Sequence, residues 1–381
     1  MKTLHVRLGK ESYPIEIGRG LLGVLGPRLK REGVEKALII TDRNVYKQYG
    51  NSVEKSLRST RISFDTIQID AGEAGKNFDS LRKIYQKLAD SEMQRDSWII
   101  ALGGGAIGDV AGFAAATYMR GIPFVQVPTT LLAQTDASIG GKTAINFSSI
   151  KNLVGAFHQP RFVLIDLNTL ETLAEMAQKE TPRLFLAGLA EVVKYGVIDP
   201  IRIGKIPFFS FLEKNANTLI KLNHLQNHFP LWEIVIATSC QVKANVVSKD
   251  EKEQGIRATL NFGHTVGHAI EALMNYKCYH GEAISIGMVA ESLIAQKMGL
   301  FKERNVIRLK NLLEQLQLPI HLKNLSHLKM DDILHKFQLD KKVKTGKVRF
   351  VLPIKIGKVI LRDDVPISII QEALKEVGCN G

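Results

Sequence analysis

The residues best suited to chemistry lie in one segment of the C-terminal half, Leu260–Glu271, which reads LNFGHTVGHAIE. His264 and His268 are four positions apart, so on a helix both side chains project from one face. A third histidine follows at His280, in the sequence His-Gly-Glu. Neutral imidazoles together with a carboxylate form a ligand set that suits zinc. The segment therefore predicts a divalent-metal site, although spacing does not decide which histidines bind the metal and which faces a substrate.

A second group of reactive side chains lies in Ala190–Lys194, which reads AEVVK. Glu191 and Lys194 are three positions apart, so a helix would place both on one face. An ion pair of this spacing on a protein surface contributes little to stability. Here the neighbouring residues are apolar on both sides, which favours a buried and therefore functional role for the pair.

A glycine-rich turn, GGGAIGD, follows the apolar segment Ser97–Leu102 and precedes a run of small residues typical of a helix, Val110–Thr117. Glycines let the backbone approach a pyrophosphate, and a helix N-terminus offers N–H groups with a favourable dipole. The spacing of Gly103, Gly105 and Gly108 fits the dinucleotide fingerprint, although a turn of this kind can also be only a tight connection.

No acidic residue that could bind the ribose of a dinucleotide ends the next predicted strand, as the usual arrangement would require. The sequence instead places Asp42 at the end of an earlier strand, Ala37–Thr41, with Asn44 close by. We therefore expect a variant nucleotide site in which Asp42 contacts the ribose.

Four polar residues stand out between Pro128 and Pro160, a loop-rich stretch with few other solubilising side chains. Lysines beside glycines suit the capture of a phosphate or carboxylate as point charges. A solvated surface loop would more naturally carry scattered glutamates and serines. We therefore expect a functional loop that carries Asp136, Lys142, Lys151 and Asn152.

Short apolar segments alternate with helix-like segments through the first half of the chain, which indicates a largely parallel, doubly wound sheet. The predicted strands are Ala37–Thr41, Ser63–Ile69, Ser97–Leu102, Pro123–Val127 and Phe162–Leu167. After about Thr172 the segments become long and helix-compatible. The predicted helices are Leu184–Val197, Leu231–Val247, His264–Leu273 and Glu282–Lys297.

The predicted fold class is thus α/β followed by α. A Rossmann-like doubly wound domain over residues 1–172 would bind the nucleotide, and a mostly helical domain over 173–381 would bind metal and substrate. Pro207, Phe208 and Phe209 interrupt the helical pattern, and no element is predicted over 201–230.

Composition restricts the class of protein. The chain has 381 residues, of which 45% are hydrophobic and 23% charged, enough apolar material for two packed domains. Its formal net charge of +13 raises the question of nucleic acid. The basic residues are spread along the chain, however, and aromatic residues make up only 7%, so stacking platforms for bases are not evident. We expect no nucleic-acid partner.

The first residues, Met1–Lys10, lack both an apolar stretch of signal-peptide type and a run long enough to span a bilayer. We expect a cytoplasmic protein without a membrane partner. The three cysteines, Cys240, Cys278 and Cys379, are too few and too scattered for a disulfide framework or a cysteine zinc site. We expect free thiols.

Six motifs, taken together, resemble those of the 3-dehydroquinate synthase family of sugar-phosphate cyclases and occur in that family's order. They are GGGAIGDVAGFAAATYMRG, VPTTLLAQTDASIGGKTAIN, AEVVKYG, GIRATLNFGHTVGHAIE, YHGEAISIGM and LDKKVKTG. The resemblance extends from about Thr41 to Pro353, and the combination is highly specific. It implies a Rossmann-like N-terminal domain, a helical C-terminal domain and an active site between them.

The resemblance also assigns the metal ligands that spacing leaves open. It implies that Glu191, His264 and His280 bind a divalent metal, zinc in most members with cobalt as the alternative, while His268 contacts substrate. It further implies NAD as cofactor. The residues that would contact NAD are Asp42, Asn44, Glu73, Lys76, Gly104, Gly105, Ala106, Asp109, Thr129, Thr130, Lys142, Lys151 and Thr172.

Substrate contacts are implied by the same resemblance. The phosphate group would be held by Lys142, Asn152, Asn261 and His268, with Arg120 supplied by the partner subunit of a homodimer. A carboxylate would be bound by Lys243 and Arg257, and the reacting hydroxyls would be met by Asp136 and Lys194. Lys151 would line the site, which would be closed by one of Lys341 and Lys342. The implied catalytic residues are Asp136, Lys142, Lys194, Asn261 and His268.

The implied activity is that of an NAD- and metal-dependent carbon–oxygen lyase. It converts 3-deoxy-D-arabino-heptulosonate 7-phosphate to 3-dehydroquinate and phosphate, the second step of the shikimate pathway in aromatic amino acid biosynthesis. Hydride passes to NAD, phosphate leaves by elimination, the hydride returns, and an intramolecular aldol step closes the ring. NAD is therefore regenerated in each turnover.

One position departs from the family pattern, because Ile150 stands where a glycine usually precedes the Lys-Asn pair. We expect the local backbone to differ there or the loop to shift. Two other enzyme classes share part of the pattern. A cyclase acting on sedoheptulose 7-phosphate would not need a carboxylate-binding pair such as Lys243 and Arg257. A polyol dehydrogenase of the glycerol dehydrogenase type would not need so many phosphate-binding lysines.

Overall fold

The computed structural model describes residues 1–148, 150–179, 183–274, 278–322, 328–339 and 348–379. Lys341 and Lys342, one of which is expected to close the site, lie outside these residues. The chain divides into two compact units. Unit 1 comprises Met1–Glu175 and His224–Lys252, and unit 2 comprises Met176–Asn223 and Glu253–Gly381. The predicted domain boundary after residue 172 lies near Glu175, where the first segment of unit 1 ends. The assignment of nucleotide binding to one domain and of metal and substrate binding to the other stays a prediction.

The strands of the described residues are numbered in chain order. They are β1 (Lys2–Val6), β2 (Tyr13–Gly18), β3 (Lys36–Asp42), β4 (Ser63–Ile69), β5 (Trp98–Gly103), β6 (Phe124–Pro128), β7 (Lys142–Phe147), β8 (Ile150–Phe157), β9 (Val163–Asp166), β10 (Arg202–Ile203), β11 (Ile206–Pro207), β12 (Phe350–Lys355) and β13 (Lys358–Arg362).

The helices are numbered in the same way. They are α1 (Leu25–Arg31), α2 (Arg43–Val45), α3 (Asn51–Ser59), α4 (Phe78–Asp90), α5 (Gly105–Thr117), α6 (Asn168–Lys179), α7 (Arg183–Ile198), α8 (Phe208–Leu219), α9 (Phe229–Val247), α10 (His264–Leu273), α11 (His280–Lys297), α12 (Glu303–Gln315), α13 (Met330–Leu339) and α14 (Ile367–Glu376).

Unit 1 is built on a seven-stranded sheet in the order β1-β2-β9-β6-β5-β3-β4. Neighbouring strands are parallel except for the pair β1 and β2 at one edge, which is antiparallel. The predicted strands correspond to β3, β4, β5, β6 and β9, with bounds shifted by at most one residue. The antiparallel strand β1 and the parallel strand β2 were not predicted.

Helices cover both faces of this sheet, because successive side chains of a strand point to opposite sides. On β3, Leu38 and Ile40 pack into a core with residues of α4 and α5. Ala37 and Ile39 pack into a second core with residues of α1 and α3. A strand that is buried on both faces reads as a continuous apolar run. The predicted Rossmann-like, doubly wound class is confirmed.

The stretch Pro128–Pro160 was expected to be loop-rich, and that expectation was wrong. Its strands β7 and β8 form an antiparallel hairpin in which Lys142 pairs with Phe157. Gly155 of β8 serves close packing within this hairpin, since a Cβ there would lie 2.1 Å from the carbonyl oxygen of Thr143. Ile150 begins β8 without a positive φ, so the family glycine is not required for backbone conformation there.

Unit 2 is mostly helical, as predicted, and its helices α7, α10 and α11 begin within two residues of the expected positions. Residues 201–230, for which no element was predicted, contain β10, β11, α8 and the start of α9. Pro207 directly precedes α8, where its missing N–H is not needed. Phe208 and Phe209 are each 1% exposed, so they anchor the helix in the core instead of interrupting it. Helix α9, predicted as part of the second domain, belongs to unit 1.

The cysteines Cys240, Cys278 and Cys379 are buried free thiols, as predicted. No helix among the described residues has the length and apolar character needed to span a membrane.

Candidate functional site

The predicted nucleotide site lies where the strand order of the unit 1 sheet reverses. From β3 the chain proceeds to β4 on one side, and the next strand, β5, lies on the other side of β3. Doubly wound sheets bind ligands at such a switch point, beyond the carboxyl ends of the strands. Asp42 ends β3 and Gly103 ends β5. The two segments predicted to bind NAD therefore flank the switch point.

None of the glycines in the turn GGGAIGD has a positive φ, so backbone conformation does not require them. Their lack of a side chain, which leaves space, is the feature that matters. A Cβ on Gly108 would lie 2.6 Å from Oε1 of Gln126, so this glycine lets helix and strand pack closely. Gly104, the N-cap of α5, is different because a Cβ there would meet only Thr130, at 3.3 Å. The space beside Gly104 adjoins N–H groups that the first helical turn leaves without helical partners. A pyrophosphate fits this position.

Asp42 is held in place at the same edge by its own chain. Its Oδ1 accepts hydrogen bonds from the backbone N–H groups of Asn44 at 2.9 Å and Val45 at 3.0 Å. These bonds cap the short turn α2 and fix a carboxylate at the carboxyl end of β3. The predicted ribose contact thus has a preset orientation, and Asn44 beside it is exposed.

A buried lysine joins several predicted contacts. Lys76 is 3% exposed, and its Nζ donates to Oδ2 of Asp109 at 2.6 Å and to Oδ1 of Asn152. Burial raises the pKa of Asp109, and the charge of Lys76 opposes that rise. One predicted NAD contact, Asp109, and one predicted phosphate contact, Asn152, therefore meet at the ammonium group of Lys76, which is itself a predicted NAD contact.

The hairpin β7–β8 is tied to this group through Asn146, which sequence reasoning missed. Its Nδ2 donates to Oε2 of Glu73 at 2.7 Å, and its backbone N–H donates to the carbonyl of Lys76 at 2.8 Å. Its Oδ1 accepts from the backbone N–H of Asn152 at 3.0 Å. Nothing in the local pattern distinguishes Asn146 from any other polar strand residue, because its role depends on partners about seventy residues earlier.

Asp136 and Lys243, both predicted to contact substrate, form an ion pair within unit 1. The Nζ of Lys243 donates to Oδ1 of Asp136 at 2.7 Å and to its backbone carbonyl at 2.8 Å. Lys243 is 7% exposed on α9. The pair orients both groups, and it places Lys243 in unit 1 whereas Arg257 belongs to unit 2.

Apart from Arg120, which lies on the turn after the C-terminal end of α5, the other predicted residues of unit 1 lie after strand ends, on the hairpin or near the start of helices. Thr129 and Thr130 follow β6, Ala106 lies in the first turn of α5, and Thr172 lies on α6, which follows β9. The hairpin carries Lys142 on β7 and Lys151 on β8. Parallel strands end at one edge of a sheet, so most of the predicted NAD contacts lie along that edge.

Unit 2 holds the predicted metal ligands around a fully buried carboxylate. Glu191, on α7, is 0% exposed, and its Oε1 lies 3.4 Å from Nε2 of His280 and 3.5 Å from Nε2 of His264. Lys194 contacts its other oxygen. Ligands of a tetrahedral zinc, bound at roughly 2.0–2.1 Å, lie about 3.4 Å from one another. The three side chains are thus spaced for a metal ion, with ligand atoms all within 4.8 Å.

Both imidazoles are oriented by hydrogen bonds at Nδ1. His264 donates to the carbonyl of Phe262 at 3.0 Å, and His280 donates to Oε2 of Glu271 at 3.0 Å. In each ring this leaves Nε2 directed at Glu191, the arrangement in which a second carboxylate or carbonyl orients a metal ligand. Burial lowers the pKa of His280, but Glu271 and Glu191 outweigh it and raise the pKa to about 10. A metal would displace that proton.

His268 lies on the same face of α10, with its ring centroid 5.2 Å from that of His264, and it is the more exposed of the two. His268, Glu271 and His280 form a second group of ligand atoms within 4.8 Å. The assignment of His268 to substrate stays a prediction. Glu271, which was not predicted, lies seven positions after His264 and shares its helical face, a signal that could have identified it.

Arg257 and Asn261 lie on the turn Ile256–Asn261 that precedes α10. Arg257 is 1% exposed. Asn261 donates from Nδ2 to Oε1 of Glu253 at 2.7 Å. Unit 2 thus carries a buried guanidinium and an oriented amide close in sequence to the metal ligands.

Comparison with known families gives two matches. The family described as "3-dehydroquinate synthase N-terminal" matches residues 66–180. The family described as "3-dehydroquinate synthase C-terminal" matches residues 188–343. Curated relatives match over nearly the whole chain. The 3-dehydroquinate synthase of Crocosphaera subtropica is 45% identical over 378 residues, covering 98% of this chain and 99% of its own. That of Desulforamulus reducens is 43% identical over 367 residues, covering 96% and 97%.

Solved structures with the same fold include other cyclases. The 2-epi-5-epi-valiolone synthase of Streptomyces hygroscopicus, with NAD⁺ and Zn²⁺ bound, has a TM-score of 0.82 at 26% identity and covers 96% of each chain. A 2-deoxy-scyllo-inosose synthase complexed with carbaglucose-6-phosphate, NAD⁺ and Co²⁺ has a TM-score of 0.83 at 26% identity, covering 99% of this chain and 100% of its own.

Proposed function

The chain belongs to the 3-dehydroquinate synthase family, and we propose that it converts 3-deoxy-D-arabino-heptulosonate 7-phosphate to 3-dehydroquinate and phosphate. The observation that carries this proposal is the buried carboxylate of Glu191 with two imidazole nitrogens at metal-ligand spacing. The same chain has a glycine-rich turn at the switch point of a parallel sheet. Oxidation of a hydroxyl by a nicotinamide, assisted by a metal, requires both features.

The described side chains fit both a divalent metal and NAD. Glu191, His264 and His280 would hold the divalent metal, zinc or cobalt, with Glu271 orienting His280. The edge of the unit 1 sheet would hold NAD, with pyrophosphate beside Gly104. When bound, the metal supplies a Lewis acid that lowers the pKa of a substrate hydroxyl, and NAD supplies a reversible hydride acceptor.

The chain's own residues would bind and orient the substrate. Lys142 and Asn152, on the hairpin, would hold the phosphate and stabilise its charge as it departs. Arg257 would bind the carboxylate through its planar fork. Asp136, oriented by Lys243, would accept a hydrogen bond from a reacting hydroxyl. Much of the rate would come from holding one flexible intermediate in productive conformations.

The role proposed for Lys194 joins the metal site to the substrate. It is 1% exposed and contacts Glu191, one turn earlier on α7. An ammonium group has three donors, so contact with one carboxylate oxygen leaves others for a substrate hydroxyl. We assign Lys194 the role of orienting Glu191 and donating to a hydroxyl of the substrate.

Phosphate release from the seven-carbon keto acid phosphate, with and without NAD, tests the activity. Release should depend on NAD supplied in catalytic amount, because the hydride returns to the same substrate molecule. NADH, followed by its absorbance, should not accumulate. If NADH rises in proportion to phosphate, the cyclase assignment is wrong and a polyol dehydrogenase of the glycerol dehydrogenase type becomes preferable.

We further propose that the active form is a homodimer to which each subunit supplies Arg120. Arg120 is exposed and has a left-handed φ of 68°. The hairpin exposes Phe147, Ile150 and Phe157 by 48%, 47% and 44%. Exposed apolar side chains along one hairpin suit a protein–protein contact. Measurement of the molecular mass in solution tests whether the chain is a dimer. Replacing Ile150 and Phe157 with serine should give a monomer.

The cytoplasmic location expected from the N-terminal sequence is also part of the proposal. Cell fractionation with an antibody against the chain tests it, and recovery in a membrane or secreted fraction would contradict it.

A further inference from the structure

The helix that carries His264 and His268 begins without a capping side chain of its own. Helix α10 begins at His264, and its N-cap, Gly263, has a left-handed φ of 80°. The first N–H groups of a helix have no helical partner, and buried ones need an acceptor. Gly263 and Thr265 are both buried. The acceptor must therefore come from another part of the fold.

That acceptor is Glu291, on α11. Its Oε2 accepts a hydrogen bond from the N–H of Gly263 at 2.7 Å. Its Oε1 accepts from the N–H groups of Thr265 at 3.1 Å and Val266 at 3.4 Å. Glu291 is 0% exposed. Burying a carboxylate is costly unless hydrogen bonds or charges compensate, and a helix N-terminus supplies N–H donors and a favourable dipole.

Close backbone packing surrounds this carboxylate. A Cβ on Gly287 would lie 1.9 Å from the carbonyl oxygen of Gly263, and a Cβ on Gly267 would lie 2.7 Å from Cδ1 of Ile284. Gly287 lies one turn before Glu291 and shares its face of α11. The glycines bring the two helices together, and Glu291 joins them by hydrogen bonds. Helix α10 carries one predicted metal ligand and the first residue of α11 is another.

We propose that Glu291 is a positioning residue for the metal site, because it holds the first turn of α10 and thereby places Nε2 of His264 relative to Glu191 and His280. The ring of His264 is oriented by the carbonyl of Phe262, which belongs to the same backbone segment. A shift of that segment therefore moves the ring with it. The inference rests on the proposed ligand set of Glu191, His264 and His280.

Glu291→Gln tests the inference with the least change in size. The amide keeps one carbonyl oxygen but places an NH₂ group against a backbone N–H of α10, so the segment must shift. Ser292→Ala is the matched control. Ser292 is also 0% exposed on α11, and its hydroxyl makes no hydrogen bond to any residue that the structure describes.

The measurement is a titration of Co²⁺ into metal-free protein, followed by visible absorption, with NAD binding measured alongside. Glu291→Gln should weaken Co²⁺ binding by about ten- to a hundredfold, as for other residues that orient metal ligands. Its absorption spectrum should change, because the ligand geometry changes. Ser292→Ala should match the wild type in both, and both variants should bind NAD as the wild type does.

The outcomes separate this inference from the proposed function. If wild-type protein binds no Co²⁺, the ligand set fails and the inference fails with it. If wild type binds Co²⁺ and Glu291→Gln binds it with the same affinity and spectrum, only the inference fails, and Glu291 serves the fold alone.

A measurement on the wild type decides the matter if the glutamine variant does not fold. By linkage, a cap that favours metal binding is itself strengthened by the metal. Hydrogen exchange at the amides of Gly263, Thr265 and Val266 should therefore slow when Co²⁺ is added. Exchange at these three amides that does not respond to saturating Co²⁺ would overturn the inference.

Discussion

In unit 1 the predicted NAD contacts follow the carboxyl ends of parallel strands, whereas in unit 2 the predicted metal ligands project from packed helices. Asp42 and Gly104 reach the same sheet edge because β3 and β5 are neighbours. Glu191, His264 and His280 meet only through side chains on α7, α10 and α11. The sheet edge offers space and backbone N–H groups, while the helical site depends on each individual side chain.

This difference predicts how each site responds to substitution. A site made from backbone groups keeps most of its binding when one side chain is lost. A metal site made from three side chains, two held by a further hydrogen bond and Glu191 by an ion pair with Lys194, should fail when any one of them is removed. Single substitutions in unit 2 should therefore have larger effects than those in unit 1.

Removal of a metal ligand should have the largest effect. Glu191→Ala, His264→Ala and His280→Ala should each lose the metal and lower kcat by roughly a thousandfold or more, since a bound metal stabilises the transition state by several kcal/mol. Elemental analysis of the purified variants checks the metal content. His268→Ala is the control and should retain the metal. Loss of metal from that variant alone would reverse the assignment.

Arg257→Ala should have the next largest effect, on substrate use and not on metal content. We expect kcat/KM for the seven-carbon keto acid phosphate to fall by about tenfold to a thousandfold. The reason is the loss of a hydrogen bond to a charged group, which contributes about 1.5–3 kcal/mol or somewhat more. Steady-state kinetics measure it. Wild-type enzyme should barely turn over sedoheptulose 7-phosphate, which has no carboxylate. Comparable turnover of both compounds would place the enzyme with the alternative cyclases.

Lys76→Met should weaken NAD binding by about tenfold, because the partly buried carboxylate of Asp109 loses its charged partner. Lys87→Met provides a matched control in unit 1. Lys87 contacts Asp65 at 2.8 Å, but both side chains are at least one-third exposed, and such a pair contributes about 1 kcal/mol or less. Calorimetric NAD titration compares them, and equal weakening in both variants would remove Lys76 from the proposed site.

Gly104→Ala should have the smallest effect. The added methyl meets only Thr130 at 3.3 Å, so thermal stability should stay close to that of the wild type, while NAD binding weakens by up to about tenfold. Gly23→Ala is the control, since a Cβ there meets nothing within 4 Å. The readouts are Tm and NAD affinity. Unchanged affinity in Gly104→Ala would mean that the pyrophosphate does not approach this glycine.

Local sequence patterns determined the main elements and the type of chemistry. The apolar segments of β3, β5 and β6 predict buried strands because both faces of a parallel sheet are covered. The segment Leu260–Glu271 carries His264 and His268 on one helical face, which is enough to indicate a metal site. The family resemblance then placed NAD and named the ligands, beyond what spacing alone could do.

The tertiary structure decided the features that depend on residues far apart in the chain. The stretch Pro128–Pro160 was expected to be loop-rich, but it forms a hairpin, and Gly155 is explained only by the strand opposite. Helix α9 follows helices of unit 2 in sequence and yet packs in unit 1. Glu291 lies in an apolar helix, and its role became visible only because Gly263 offers an N–H 2.7 Å away. A local pattern records which face of an element is apolar, whereas the partner of a buried polar group is set by packing between elements.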